Sequence, residues 1–113
     1  MKPESAAPAG DAAAFRLVSA SEGSLSAEGR LTFASARSAC ALGVQALARA
    51  SGDRLEIDCR GISASDGAGL AVLLEWLGVA KRAGRSLRYT RLPEGLAALA
   101  AISDVRELLE RGV

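Results

Sequence analysis

The residues best placed to do chemistry are Ile62-Ser63-Ala64-Ser65-Asp66-Gly67-Ala68-Gly69-Leu70, where a strand pattern runs through small and polar residues into a helical one. Backbone amides at a helix start attract anions, and an aspartate at the position of Asp66 caps them. Read as a phosphate cradle, the stretch lacks both the GxxxxGK[ST] spacing and a lysine, so a nucleotide site is not expected. Nor does a nucleophile pair with a base. The chain has no histidine, no GxSxG, and no two carboxylates that spacing would force together. No catalytic residue is expected, and the chain is not read as an enzyme.

Composition narrows the classes further. Of 113 residues, 14 are Lys or Arg and 13 are Asp or Glu, a net charge of +1 that leaves no electrostatic footprint for nucleic acid. Aromatic residues make up only 4% of the chain, too few for base-stacking platforms. Cys40 and Cys59 stand far apart with no histidine between them, so neither a redox pair nor a metal set is expected, and no cofactor. One domain of this length buries roughly two thirds of the surface of its unfolded chain, enough for a single core. There is no run of about twenty apolar residues and no apolar leader, so a cytoplasmic location is expected.

The elements that must position the Asp66 stretch follow from periodicity. Residues Met1 to Ala14, rich in Ala and Pro, read as a flexible tail ahead of one domain spanning 15–113. Alternation at Phe15 to Ser19 and at Ser24 to Leu31, around Ser21-Glu22-Gly23, predicts a hairpin. Helical spacing of Ala36, Cys40, Val44 and Leu47 predicts a helix over Ala34 to Ala50, stopped by Ser51-Gly52-Asp53. Leu55, Ile57 and Cys59 then alternate with Glu56, Asp58 and Arg60. A loop over Gly61 to Gly69, a helix over Ala68 to Ala83 and a strand over Ser86 to Leu92 follow. The last two strands, joined through a helix, should be parallel with a right-handed crossover. Pro93 opens a third helix to Ala101, and Ile102 to Leu109 forms a final turn and helical segment. Strands that are polar on their second face place the helices on one side of the sheet. The expected fold is therefore a two-layer α/β (α+β) domain with a mixed four-stranded sheet and helices packed on one face.

The second helix carries two apolar stripes. Leu70, Leu73, Leu74 and Leu77 face the sheet, while Val72, Trp76 and Val79 lie on roughly the opposite side. Neighbouring helices could cover the second stripe; we take it instead as exposed, with Trp76 the anchor of a partner interface. Lys81, Arg82, Arg85, Arg88 and Arg91 form a basic cluster that reads as a solvated helix end complementing the helix dipole, the alternative being contact with an acidic partner or an anionic membrane surface.

Particular stretches carry a family likeness. Gly29-Arg30-Leu31-Thr32-Phe33-Ala34-Ser35-Ala36, Leu55 to Asp58 with Ile62, Asp66-x-x-Gly69-Leu70, Ala80 to Gly84 and Ile102 to Leu109 together resemble the STAS domain over about Phe15 to Leu109. In the anti-sigma factor antagonists of that family the signature looks like Asp-Ser-[Ser/Thr]-Gly-Leu, and the Ser after the Asp accepts phosphate from a kinase. Here Gly67 stands at that position, followed by Ala68. The Leu-rich second helix, the loop without a double hydroxyl, and Leu92-Pro93-x-x-Leu96-x-x-Leu99-Ala100 are similar to the STAS subunit of the Mla phospholipid-transport complex, although the hydroxyl of that branch is also missing at Gly67. The resemblance implies a non-catalytic subunit, peripheral at the inner face of the inner membrane, that reaches the membrane only through its complex. It would dock on the ATPase of an ABC transporter maintaining outer-membrane lipid asymmetry. The alternative it implies is an anti-sigma factor antagonist with a degenerate phosphorylation site, partnered by an anti-sigma factor or kinase. The expected contact residues are Ser65, Asp66, Gly67, Ala68 and Gly69 of the loop, with Val72, Trp76 and Val79 of the helix.

Overall fold

The computed structural model describes residues 14–112. The expected tail therefore lies, except for Ala14, outside the described residues. Strands β1 (Arg16–Ser21) and β2 (Ser24–Leu31) form the antiparallel hairpin, from Arg16 opposite Glu28 to Ser21 opposite Ser24, with a bulge between Ser19 and Ser21. Gly23 turns the chain at φ +75°, a left-handed conformation open to glycine at little cost. Helix α1 (Ala36–Arg49) returns the chain to β3 (Arg54–Ser65), which lies parallel to β2. Helix α2 (Gly67–Arg82) leads to β4 (Ser86–Thr90), parallel to β3. The sheet order is β1-β2-β3-β4, and α3 (Glu94–Ile102) and α4 (Arg106–Arg111) complete the chain, with Pro93 capping α3.

The inward face of the sheet is the apolar set expected from alternation: Leu25, Ala27 and Leu31 of β2, Leu55, Ile57, Cys59 and Ile62 of β3, and Leu87 and Tyr89 of β4, all buried. Ala39 and Leu47 of α1, Leu70, Leu73 and Leu77 of α2, Leu96 of α3 and Leu109 of α4 join the same core. The other face is polar and tied across strands. Arg16 pairs with Glu28 at 2.7 Å, Arg88 with Glu56, and Arg91 with Asp58 at 3.5 Å.

Two boundaries differ from expectation in ways that shape the site. Gly61 to Ser65 is strand, not loop. Gly61, Ile62, Ala64 and Ser65 stand opposite Glu28, Gly29, Arg30 and Leu31 of β2, with register shifts after Ser26 and Gly29. Ladder partners, which local propensity cannot report, hold these small residues extended. Helix α1 begins at Ala36, two residues later than periodicity suggests. Ser35 stands at its cap, but its hydroxyl accepts from the Thr32 amide at 3.1 Å and donates to the Arg30 carbonyl at 2.7 Å, closing a turn ahead of the helix.

The exposed stripe expected at Val72 and Trp76 is corrected outright. Val72 is 5% exposed and Trp76 0%. The indole ring fills the notch that Gly43 leaves in α1, where a Cβ would collide with it. Its N–H donates to the Cys40 carbonyl at 3.3 Å, and Phe15 packs alongside with ring centroids 5.9 Å apart. The first helix covers the second stripe, and the stripe is core. The basic cluster lies at the surface, and among the described residues all of its members but Lys81 have partners within the domain. Arg82 lies 3.6 Å from Glu75, and the Arg85 guanidinium donates to the carbonyls of Leu47, Ala50 and Gly52, satisfying the orphan acceptors that end α1.

Candidate functional site

The long β3 strand delivers Asp66 to the point where β3 ends and α2 begins. Asp66 has an extended backbone (φ −148°, ψ −170°) and caps α2: one carboxylate oxygen accepts from the Gly69 amide at 3.0 Å. The other accepts from the Phe33 amide, also at 3.0 Å, in the turn between β2 and α1. One side chain thus ties together two loops that are 33 residues apart in the chain. The amides of Phe33 and Gly69, in that order, hold its pKa below the ordinary aspartate value, with Ala68 adding to them against a smaller cost of desolvation.

The corner so formed is open where it could touch another molecule. Gly67 is exposed and a Cβ there would meet nothing within 4 Å, while Ser65, Asp66 and Ala68 are half-buried. Gly69, expected among the contact residues, is buried: a Cβ at that position would strike the Leu31 carbonyl, so this glycine lets the first turn of α2 sit on the end of β2. Val79 is half-buried and stands twelve residues along α2 from Gly67, about 18 Å away at 1.5 Å per residue. Of the eight expected contact residues, the structure brings Ser65, Asp66, Gly67 and Ala68 together at one exposed corner. Gly69, Val72 and Trp76 are inside.

Sequence reasoning missed Phe33 as a candidate. It is 83% exposed, whereas Phe15, Trp76 and Tyr89, the other aromatic residues of the chain, are 5%, 0% and 1% exposed. The turn that carries it is held on every side. Its own amide is bound by Asp66, Ser35 binds Thr32 and Arg30, and the Ser35 amide donates to the Thr32 carbonyl at 3.0 Å. An aromatic residue between the end of a strand pattern and the start of a helical one, off both apolar faces, was the available signal.

The Asp66 carboxylate of the corner and the Tyr89 hydroxyl of the core are already committed to partners within the fold. Both Asp66 oxygens are engaged with amides, so the carboxylate is a fixed structural anion. Burial, with Asp58 adding to it, pushes the Cys59 thiol up to about 12, far from the thiolate that nucleophilic chemistry needs. The Tyr89 hydroxyl, whose pKa burial and then Cys59 raise, donates to the Leu73 carbonyl at 2.6 Å inside the core. Among the described residues no three His, Cys, Asp or Glu side chains stand together as metal ligands, and no helix is long and apolar enough to cross a membrane.

Comparison with known proteins places this geometry. Residues 17–110 match the family model described as "Mlab, STAS domain". The chain belongs to this STAS family. Among solved structures it is similar to the anti-sigma factor antagonist SpoIIAA in its unphosphorylated form, with a TM-score of 0.58 at 13% identity, covering 86% of this chain and 84% of that one. At that identity the likeness speaks for the STAS fold, seen here among the described residues as a mixed four-stranded sheet with four helices. A search of curated proteins finds no match.

Proposed function

We propose that this STAS domain is a non-catalytic accessory subunit that binds the ATPase of an ABC phospholipid transporter and stabilises or activates it, the transporter serving outer-membrane lipid asymmetry. The match of residues 17–110 to the Mlab STAS family carries this reading. The Asp66 corner supports it: the surface is tied through Asp66 to two backbone amides and is open at Gly67. Docking uses Ser65, Asp66, Gly67 and Ala68, and association with the membrane comes through the complex. An antagonist switched by phosphate at the residue after Asp66 would need a hydroxyl that Gly67 does not have.

The test is to tag the protein in its own cells, extract membranes mildly, and identify what copurifies in stoichiometric amount. The reading expects an ABC ATPase with its permease. An anti-sigma factor or kinase in their place would overturn it and move the function to transcription.

A further inference from the structure

The Asp66 corner also carries a charge pattern that describes what it docks on. Phe33 is exposed on its tied turn, and the sequence places Arg30, near the end of β2, three residues before it and Arg37, in the first turn of α1, four residues after it. Both arginines are exposed, and neither stands in an ion pair among the described residues. Among those residues Arg16, Arg82, Arg88, Arg91, Arg106 and Arg111 are paired with carboxylates of the domain, whereas Arg49, Arg54, Arg60 and Lys81, like Arg30 and Arg37, are not; Arg30 and Arg37 are the two of these that stand within four residues of an exposed aromatic. The first turns of α1 and α2 contain no acidic residue. Asp66, the carboxylate at the corner, has both oxygens committed to amides. The same turn borders a depression of about 320 Å³ lined by Arg30, Thr32, Ala34, Ser35 and Ser38 among others, though not by Phe33 or Arg37.

Resting on the docking role proposed above, we infer that this corner takes an acidic, apolar segment of a partner protein. An aliphatic side chain of the segment packs on the Phe33 ring, and flanking carboxylates meet Arg30 and Arg37. An exposed aromatic usually loses part of its binding value to the cost of ordering its loop; here that loop is ordered before the partner arrives. Arginine adds bidentate, planar recognition of carboxylates. A lipid surface fits less well, because membrane-surface elements spread many apolar side chains along an amphipathic face, and this corner offers one ring.

The experiment is a titration of the full-length ¹⁵N-labelled protein, followed by amide chemical shifts. The probes are a short peptide of Glu, Asp and Leu, its counterpart with Lys for every acid, and vesicles containing phosphatidylglycerol. The acidic peptide is expected to move the amides of Arg30, Phe33 and Arg37, with an affinity that falls as salt rises. Phe33→Ala, or Arg30→Glu with Arg37→Glu, should weaken it by roughly tenfold or more, while thermal melts confirm that the variants fold. Shifts confined to another surface, equal shifts from the lysine peptide, a response to vesicles alone, or no response to any probe would overturn the inference. Copurification of the ATPase is read separately, so the transporter reading can survive that result, and a failed copurification leaves the peptide result standing.

Discussion

The amino-terminal corner of α2 and the Trp76 face of the same helix both present an aromatic residue beside an apolar helix, and they meet opposite fates. Trp76 finds a neighbour shaped for it, since Gly43 removes the one side chain that would block the ring, and Cys40 supplies a carbonyl for the indole N–H. Phe33 finds none. The hydrogen bonds around it fix its backbone and leave its ring 83% exposed. Burial here was decided by what the opposing element offered, not by the hydrophobicity of the residue. A rigid exposed ring is therefore the better candidate for recognition than a larger ring inside the core.

The sharpest way to break that contrast is to attack the notch. Trp76→Ala leaves a cavity and is expected to cost about 3–5 kcal/mol, lowering the melting temperature by well over ten degrees for a domain of this size. Gly43→Val should be of similar severity, because the added side chain occupies the space of the indole. A Trp76→Ala protein that melts like the parent would mean that the ring is not packed as described.

The tie at Asp66 is expected to matter less, and in a way that depends on pH. Its folded pKa lies below the unfolded value, so the ionised carboxylate stabilises the fold at pH above the ordinary aspartate value of about 3.9. That stabilisation is lost as pH falls through the depressed folded value. Asp66→Asn keeps the size but puts an amide donor where one of the two backbone N–H groups must be accepted. Its melting temperature should therefore lie below that of the parent at neutral pH, and the gap should close in acid. A gap independent of pH would argue against a carboxylate tie.

Gly67→Ser should perturb the fold least of all. The position is exposed and a Cβ added there meets nothing within 4 Å, so stability should change by no more than about 0.5 kcal/mol, in the stabilising direction if at all. A strongly destabilised Gly67→Ser protein would show that the corner is more crowded than its geometry indicates.

Much of this architecture was legible in one sequence because it rests on period. The inward sets Leu25, Ala27, Leu31 and Leu55, Ile57, Cys59 alternate cleanly, and the helices between them repeat at helical spacing, so the mixed sheet with one covered face followed. Three features were not legible, each for a reason of distance. The extension of β3 to Ser65 is imposed by the ladder with β2. The burial of Trp76 depends on Gly43, a residue whose missing side chain leaves no mark in a hydrophobic pattern. The bond from the Phe33 amide to Asp66 joins positions 33 apart. Asp66 itself was legible as a cap from local spacing alone. Its second acceptor role, and with it Phe33, needed the fold.

We propose docking at the Asp66 corner, with Phe33 at its edge, and not at the Trp76 face. The most direct measurement is calorimetric titration of purified Phe33→Ala and parent protein into the transporter ATPase, each with its own thermal melt. Phe33→Ala is expected to melt with the parent and to bind more weakly by roughly tenfold or more. Parent-like affinity in a folded Phe33→Ala protein would contradict it.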